Sequence, residues 1–336
     1  MKDIITKIKY LSHLNSLHYS EVELEFNNYV EKFNAANLYK IKNSKATHII
    51  NNMHSVFFYS LYETLSFSEK ERKFCGLLNN SFRLIITGAD NLLDNDDNHY
   101  LGFAKINNSP TMKSVFDILL SEKIIHSVLN DYSLKFKLFS HDKVQCIQEQ
   151  IFNQLAGSGI NEAEESQKLQ INLTPEEIIN TVHHFKSGKL FTLPFLPAKN
   201  ISCNPLIEKV ENSIYEFGIA IQILDDVSDI IEDYIGKKPN YFIAVLRKKK
   251  IFKTLENHLL ENEKINLYKN KIILENIDET LEFTAKKINR TFHLLYSLNK
   301  NYDFAFFKYI LKLLFAKLKI NNFFKSFITK IENEKI

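Results

Sequence analysis

The sequence predicts an all-α protein, and two observations carry that prediction. Segments with apolar residues at helical spacing follow one another along the chain, and no long stretch alternates as a β-strand does. The 336 residues include only 8 glycines and 6 prolines, and no glycine-rich or proline-rich linker separates the segments. The length alone allows two domains, but we expect a single helical domain over residues 1–336, long enough to bury a sizeable core.

The apolar-periodic segments set the expected helices in chain order: 46–66, 70–89, 111–138, 142–156, 206–234, 241–261, 276–298 and 303–332. Gly157 and Gly159 predict a break after the fourth of these, followed by a polar loop over 157–172. The tetrapeptide Thr-Pro-Glu-Glu at 174–177 predicts the start of a further helix, because threonine caps, proline suits the first position and glutamate completes a capping box. That helix carries Lys186.

The composition excludes several classes of function. A formal net charge of +3 leaves no nucleic-acid footprint, so we expect no nucleic-acid partner. Cys75, Cys146 and Cys203 are isolated and odd in number, which argues against a disulfide framework and a zinc site. The N-terminal segment lacks the apolar core of a signal peptide, and no apolar run is long enough to span a bilayer. We therefore expect a cytoplasmic protein, with peripheral membrane contact through the lysine-rich segment 304–330 left open against ordinary core packing.

The most informative stretch is residues 218–240, which carries a row of aspartates. Asp225, Asp229 and Asp233 stand at i, i+4 and i+8 on one stripe of a helix, with Gln222 one turn earlier. Like charges at this spacing destabilise a helix by roughly a few tenths of a kcal/mol per pair, and half-buried carboxylates in a row need cations. Oxygen ligands without histidine or cysteine beside them favour Mg²⁺, which shares its remaining positions with water and substrate phosphate.

Another row of aspartates precedes this one in the chain. Asp90, Asp94 and Asp97 stand at i, i+4 and i+7 at the end of an apolar helix, so we expect them to share a face. Arg83 lies two turns before them on that face. One acidic helix face is most often solvated surface, but two such helices facing each other would hold several Mg²⁺ ions and clamp a diphosphate.

The adjacent histidines His183 and His184 are a further candidate for chemistry. Adjacent residues point to different sides of a helix, which is poor metal-ligand spacing, although one of the two can face a cavity as a proton acceptor. The Gly-Ser-Gly at 157–159 lacks a following Lys-Ser/Thr, which argues against a nucleotide-binding P-loop.

Three segments carry a family resemblance. Residues 218–229 have the pattern Gly-x-x-x-Gln-x-x-Asp-Asp-x-x-Asp, with Gly-Lys at 236–237; residues 90–94 are Asp-Asn-Leu-Leu-Asp; residues 186–191 are Lys-Ser-Gly-Lys-Leu-Phe. The first resembles the second aspartate-rich motif of the trans-prenyl diphosphate synthases, which belong to the class I isoprenoid synthase superfamily. The next is similar to their first Asp-Asp-x-x-Asp motif, with Asn91 where the second aspartate is usual. The last is similar to their Lys-Thr-Gly-x-Leu-Phe segment.

The resemblance covers roughly residues 80–250 and implies a fold and a chemistry. The fold is a helical bundle of the isoprenoid synthase type with a central apolar cavity, in a family that is usually dimeric, which leaves a homodimer open. The cofactor is Mg²⁺, with three ions held by Asp90, Asp94, Asp97, Asp225, Asp229 and Asp233. The implied catalytic residues are Asp90, Asp94, Asp225, Asp229 and Lys186, and the substrate diphosphate contacts are Lys186, Lys237, Arg83 and Gln222. For Lys237 and Arg83, simple charge balance remains the alternative.

The chain departs from the family where a second substrate would bind. Chain-elongating synthases hold isopentenyl diphosphate with an N-terminal Gly-Lys-x-x-Arg-Pro-like segment, which this chain lacks. They also use a pair of arginines, whose place is taken by Ile106 and Asn107 with Lys105 nearby. A second diphosphate without its cationic clamp binds poorly. The segment Pro-Asn-Tyr-Phe at 239–242 also departs, since a Gly-x-Asp segment is common there.

These departures lead us to expect a terpene synthase, which ionises one prenyl diphosphate and cyclises it or eliminates a proton, with release of diphosphate. Asp225, Asp229 and Asp233 also have the spacing of the metal triad of terpene cyclases. One alternative is a trans-prenyltransferase or polyprenyl diphosphate synthase that adds isopentenyl diphosphate or another acceptor. A second alternative is an inactive regulatory subunit of a prenyl synthase, which Asn91 favours and the complete second motif opposes.

Overall fold

The computed structural model describes residues 2–34, 37–40, 48–94, 96–106, 109–168, 173–253, 256 and 270–333. The described residues are almost entirely helical, which confirms the all-α fold class. By its internal contacts the chain divides into two compact units: unit 1 comprises Met1–Ile151 and Leu193–Ile207, and unit 2 comprises Phe152–Thr192 and Glu208–Ile336. The expectation of one domain over residues 1–336 stays a prediction.

Helices follow one another along the chain. They are α1 (Lys2–His18), α2 (Leu24–Phe33), α3 (His48–Thr64), α4 (Glu69–Asp94), α5 (Pro110–Leu134), α6 (Asp142–Lys168), α7 (Pro175–Ile178), α8 (Leu190–Thr192), α9 (Phe195–Ile201), α10 (Leu206–Ser228), α11 (Ile230–Ile235), α12 (Tyr241–Lys248), α13 (Lys271–Leu298), α14 (Phe304–Lys317) and α15 (Phe324–Asn333). A π-helical segment, Tyr19–Glu23, joins α1 to α2, another, Ile179–Lys189, joins α7 to α8, and a 3₁₀ turn, Asn321–Phe323, precedes α15. The short strands β1 (Tyr39–Lys40) and β2 (Gly102–Phe103) pair antiparallel. Among the described helices, none combines the length and the apolar character that a bilayer crossing requires.

The predicted break at Gly157 and Gly159 is wrong, because α6 continues through both glycines. Glycine costs a helix only about 1 kcal/mol relative to alanine, and local packing compensates for that cost. The Ser158 hydroxyl lies 3.2 Å from the main-chain oxygens of Gln154 and Phe185. The helix is therefore anchored at the point where the glycines weaken it.

The predicted helix over 303–332 is interrupted in the structure. After α14 the chain turns through Lys319, which has a φ of 58°, before α15 begins. The Ser228 hydroxyl at the end of α10 donates a hydrogen bond to the main-chain oxygen of Leu318 at 2.6 Å. This bond holds the turn against α10 and explains why one long helix does not form.

In unit 1, α4 packs along α5. A Cβ atom at Gly88 would lie 3.1 Å from the main-chain oxygen of Ser114 and 3.1 Å from Cγ1 of Ile118, so a side chain there would push the two helices apart. Two turns further from the end of α4, the Ser121 hydroxyl donates to the main-chain oxygen of Ser81 at 2.6 Å. The last turns of α4, where the first row of aspartates begins, are therefore held against α5.

In unit 2, an apolar cluster joins the segment around α7, α10 and α12. It consists of the buried residues Ile178, Val182, Ile219, Ile223, Tyr241 and Ala244. Burying each of these isoleucine side chains stabilises the unit by roughly 1.5–3 kcal/mol. Nearby, a Cβ atom at Gly188 would collide with the ring of Tyr215 on α10, so only glycine allows this approach. The packing fixes the three elements that carry Lys186, Asp225 and the start of α12.

Candidate active site

The second row of aspartates keeps its predicted spacing although its helix does not run straight through. The helix is interrupted at Asp229, which has φ −101° and ψ 15° and precedes α11. The Asp229 N–H still donates to the main-chain oxygen of Asp225 at 2.9 Å, and the Asp233 N–H donates to that of Asp229 at 2.8 Å. Because these i to i+4 bonds persist, the three aspartates follow one another by a turn, as predicted. Gln222, one turn earlier, donates to Oδ2 of Asp225 at 3.1 Å.

The electrostatics of this row indicate an excess of negative charge. Burial, followed by the charges of the neighbouring Asp229 and Asp226, raises the pKa of Asp225 to about 6. Burial likewise raises the pKa of Asp233 to about 7, and the charges of Asp226 and Asp229 act in the same direction. The Lys186 ammonium opposes both shifts. Within unit 2, Lys186 therefore lies close enough to the second row for its charge to act on both carboxylates. Its contact with a substrate diphosphate stays a prediction.

Lys186 lies on a π-helical segment that continues α7, and the start of α7 was predicted correctly. The Thr174 hydroxyl accepts a hydrogen bond from the Glu177 N–H at 3.2 Å, and the Glu177 carboxylate accepts one from the Thr174 N–H at 2.7 Å. This capping box begins α7, which continues into the π-helix Ile179–Lys189. Short π-helical insertions are frequent at functional sites, and this one carries Lys186, whose charge acts to lower the pKa of Asp225 and Asp233.

His183 and His184 both contact residues of α10. Nε2 of His183 lies 3.0 Å from Oδ2 of Asp226, and both side chains are buried. Nδ1 of His184 lies 2.7 Å from the hydroxyl of Tyr215. The two histidines therefore hold the segment that carries Lys186 against α10. Although they are adjacent in sequence, both side chains contact the same neighbouring helix.

Sequence reasoning missed Asp226 and Asn240, which form a hydrogen-bond network behind the second row. The carboxylate of Asp226, 4% exposed, accepts from the Tyr241 N–H at 2.5 Å in addition to its contact with His183. Nδ2 of Asn240 donates to the main-chain oxygen of Asp226 at 2.7 Å and to Oδ2 of Asp233 at 2.8 Å. The signal available in the sequence was an asparagine that directly follows a proline and precedes an apolar run, a helix-start pattern.

In unit 1, the prediction that the first row shares one helical face is wrong for Asp97. α4 ends at Asp94, so Asp97 lies beyond the helix. Its carboxylate pairs with Nζ of Lys113, at 2.7 and 2.9 Å, and Nε2 of His99 lies 3.1 Å from its Oδ1. The hydrogen bond from Lys113 lowers the pKa of Asp97. Asp90 and Asp94 lie exposed on the last turns of α4. A metal-binding role for these aspartates stays a prediction.

Asn91, which stands where the family pattern has an aspartate, is buried and holds the segment that follows α4. Its Nδ2 donates to the main-chain oxygen of Asn98 at 3.2 Å and lies 3.4 Å from Nδ1 of His99. The same His99 nitrogen lies 2.7 Å from Oδ2 of Asp117. Burial raises the pKa of Asp117 to about 6, although the contact with His99 lowers it. Asn91 therefore serves local structure in place of a second carboxylate.

Two predicted diphosphate contacts lie outside the second row. Arg83 donates to Oδ1 of Asn52 at 2.7 Å, and its guanidinium lies 4.3 Å from the ring centre of Tyr100. Burial raises the pKa of Glu23, and the charge of Arg83 counteracts part of that rise. These contacts support the charge-balance alternative for Arg83. Lys237 is exposed on the turn after α11, with a φ of 53°. A diphosphate contact of either residue stays a prediction.

The donor chemistry of the second row fits Mg²⁺. Its side chains offer carboxylate oxygens, and the charge of Asp229 contributes to the raised pKa values of both Asp225 and Asp233. Within the described ranges, no group of three or more His, Cys, Asp or Glu side chains surrounds a single ion position. Mg²⁺ commonly takes one or two carboxylates and completes its shell with water and substrate phosphate. The row therefore has the ligand type that Mg²⁺ prefers.

Solved structures with a similar fold include prenyl diphosphate synthases. Heptaprenyl diphosphate synthase from Staphylococcus aureus matches with a TM-score of 0.54 and 13% sequence identity, over 90% of this chain and 98% of that one. Geranylgeranyl pyrophosphate synthetase from Pyrococcus horikoshii matches with a TM-score of 0.49 and 14% identity, over 95% of this chain and 99% of that one. A polyprenyl synthase from Caulobacter crescentus, complexed with calcium and isoprenyl diphosphate, matches with a TM-score of 0.46 and 12% sequence identity, over 76% of this chain and 84% of that one.

The similarity to the Staphylococcus aureus enzyme confirms the resemblance at the level of fold: the chain has the helical fold of the isoprenoid synthases. The two weaker matches add nothing to that assignment. No protein-family model matches the chain, and no curated protein is significantly similar to it in sequence. A shared fold at this identity leaves the activity to be argued from the site.

Proposed function

We propose that the protein is an Mg²⁺-dependent trans-prenyltransferase, which ionises an allylic prenyl diphosphate and joins the resulting cation to isopentenyl diphosphate or another acceptor. The observation that carries the proposal is the position of Lys186, whose charge acts on both Asp225 and Asp233. A cation and a row of carboxylates in one unit form the two kinds of contact that a diphosphate needs. The ammonium binds phosphate oxygens directly, and the carboxylates bind them through Mg²⁺.

The second row would hold the metal through Asp225, Asp229 and Asp233. When bound, Mg²⁺ neutralises the negative charge that develops on the diphosphate as the carbon–oxygen bond breaks. Lys186 donates charge-assisted hydrogen bonds to the same oxygens, and its half-buried position strengthens them because the local dielectric is lower than that of water. Gln222 orients Asp225 through its amide.

The other ligands in this proposal are Asp90 and Asp94 on the last turns of α4. Asp97 contributes less than the sequence predicted, because Lys113 already neutralises its carboxylate. The three Mg²⁺ ions that the resemblance implies for these aspartates stay a prediction.

The choice of acceptor separates the proposal from the terpene synthase expected from the sequence. Fold similarity over 98% of a heptaprenyl diphosphate synthase supports the transferase. The terpene synthase is the second candidate, favoured by the equal spacing of the second row and by Ile106 where an elongating enzyme has an arginine. Asn107, the other position of that pair, lies outside the described residues.

The deciding experiment is a magnesium-dependent incubation with geranyl, farnesyl and geranylgeranyl diphosphates, each with and without isopentenyl diphosphate. Products are identified by mass spectrometry. Longer diphosphates that form only with isopentenyl diphosphate support the transferase. Hydrocarbons or alcohols from a single substrate would instead establish the terpene synthase.

Controls separate a true reaction from background hydrolysis. Asp225→Asn removes a proposed metal ligand and should abolish product formation. Asp278→Asn changes an exposed aspartate of α13 that pairs with Lys330, and should leave the activity unchanged. If no allylic substrate releases diphosphate, the result would support the alternative of an inactive regulatory subunit. The buried position of Asn91 also favours that alternative.

A further inference from the structure

Asn240 uses its whole side chain in hydrogen bonds at the start of α12. It is 2% exposed, and its Oδ1 accepts from the Ile243 N–H at 3.0 Å, which caps the helix. Its Nδ2 donates to the main-chain oxygen of Asp226 at 2.7 Å and to Oδ2 of Asp233 at 2.8 Å. Both amide donors are thus committed. Rotating the amide by 180° would put oxygen against the Asp233 carboxylate, so the network fixes the orientation.

We propose that Asn240 is a positioning residue for the metal site, which holds the carboxylate of Asp233 in place for Mg²⁺. The inference rests on the proposed function, because that function assigns Asp233 to the metal. Its basis is that one rigid side chain connects this carboxylate to the main chain at Asp226, the residue beside Asp225.

The chemistry of the bond supports a positioning role. An amide donor orients a carboxylate without cancelling its charge, so the charge of Asp233 remains available to a cation. Asp97 in unit 1 shows the opposite arrangement, because its partner is the ammonium of Lys113. A neutral partner on one oxygen is the arrangement commonly found around metal-binding carboxylates, where such outer partners set the ligand's orientation.

The network also extends to the segment that carries Lys186. Asp226, whose main-chain oxygen accepts from Asn240, binds His183 through its carboxylate. His183 lies three residues before Lys186 on the π-helical segment. Asn240 and His183 therefore both bond Asp226, and this shared contact links the second row to the segment that carries Lys186.

Helix capping alone needs only the oxygen of Asn240, and this gives a matched control. Asn270 caps α13 in the same way, with its Oδ1 accepting from the N–H groups of Ile272 and Ile273 at 3.0 and 3.4 Å. Serine is also a good cap. Asn240→Ser and Asn270→Ser therefore make the same change at two helix starts, and only the first removes a donor to Asp233.

The test measures metal binding directly, with Mn²⁺ followed by electron paramagnetic resonance and Mg²⁺ plus inorganic diphosphate followed by calorimetry. We expect Asn240→Ser to weaken Mn²⁺ affinity by about 10- to 100-fold and Asn270→Ser to leave it unchanged. An Asn240→Ser protein that binds Mn²⁺ as tightly as the wild type would overturn the proposal. If Asn240→Ser does not fold, Asn240→Thr replaces it, since threonine also caps and fills more of the volume.

A double-mutant cycle shows whether Asn240 acts through Asp233. In an Asp233→Asn background, Asn240→Ser should cause no further loss of affinity, whereas equal losses in both backgrounds contradict the proposal. The two hypotheses fail differently. If the wild type does not bind Mn²⁺, both hypotheses are wrong. If the double-mutant cycle gives the expected affinities but the protein turns over no allylic diphosphate, only the proposed function is wrong.

Discussion

The buried imidazole of His183 lies 3.0 Å from the buried carboxylate of Asp226 and connects the two parts of the candidate site in unit 2. His183 belongs to the π-helical segment that carries Lys186, and Asp226 belongs to α10 beside Asp225. Because the carboxylate accepts, Nε2 of His183 carries the proton and donates it. The same carboxylate oxygen accepts from the Tyr241 N–H, so this pair lies where three elements meet.

We expect His183→Leu to lower the free energy of unfolding by about 1.5–3 kcal/mol, because it removes a hydrogen bond to a buried charged group. His183→Gln places an amide donor at a similar reach and should lose clearly less. Urea denaturation measures the stability, and the KM for the allylic diphosphate reports the position of Lys186. Equal effects of leucine and glutamine on both would show that volume, and not the hydrogen bond, matters at this position.

Lys186 should contribute to the reaction and little to stability. We expect Lys186→Gln to reduce the rate of diphosphate release by about 10²–10³-fold, as the loss of one preorganised donor usually does, with an unchanged melting temperature. Lys189→Gln is the matched control, because Lys189 is exposed at the end of the same segment. A rate for Lys186→Gln equal to that of Lys189→Gln would remove the observation on which the proposed function depends.

Local chemistry explains what the sequence predicted correctly. The start of α7 follows from four adjacent residues, in which Thr174 and Glu177 bond each other's N–H groups. The second row of aspartates keeps its spacing because main-chain bonds from Asp225 to Asp233 span the irregular residue Asp229. Both features depend on neighbours within a few positions, which a sequence pattern contains.

Contacts between distant residues explain what the sequence did not predict. Asp97 leaves the helical face because Lys113, sixteen positions later, binds it. The glycines of α6 stay helical because the Ser158 hydroxyl between them donates a hydrogen bond to the main-chain oxygen of Phe185, which lies on another segment. Asn240 carries the pattern of a helix cap, but its bond to Asp233 depends on how α11 and α12 meet. No spacing rule contains these partners.

The pairing of Asp97 with Lys113 predicts that the aspartates of the first row differ in importance. We expect Asp94→Asn to raise the Mg²⁺ concentration needed for half-maximal activity strongly and Asp97→Asn to raise it only slightly. Lys113→Met should resemble Asp97→Asn in stability, since each breaks the same pair. An Asp97→Asn protein as impaired in its Mg²⁺ dependence as Asp94→Asn would restore Asp97 as a direct ligand.

Asp117 gives a prediction for the pH dependence of stability. It is fully buried, and burial raises its pKa from 3.8 to about 6, against the lowering effect of His99. Because the folded state binds this proton more tightly than the unfolded state, the contribution of the group is full below pH 3.8 and is lost as the pH rises through about 6. The loss amounts to about 3 kcal/mol.

Asp117→Asn removes that dependence, because asparagine stays neutral while its oxygen can still accept from His99. We therefore expect the variant to gain stability relative to the wild type between pH 4 and pH 7, by up to about 3 kcal/mol. Urea denaturation of both proteins across this range measures the difference. A difference that stays constant with pH would mean that the buried carboxylate of Asp117 is already charged at pH 4, with His99 as its counter-ion.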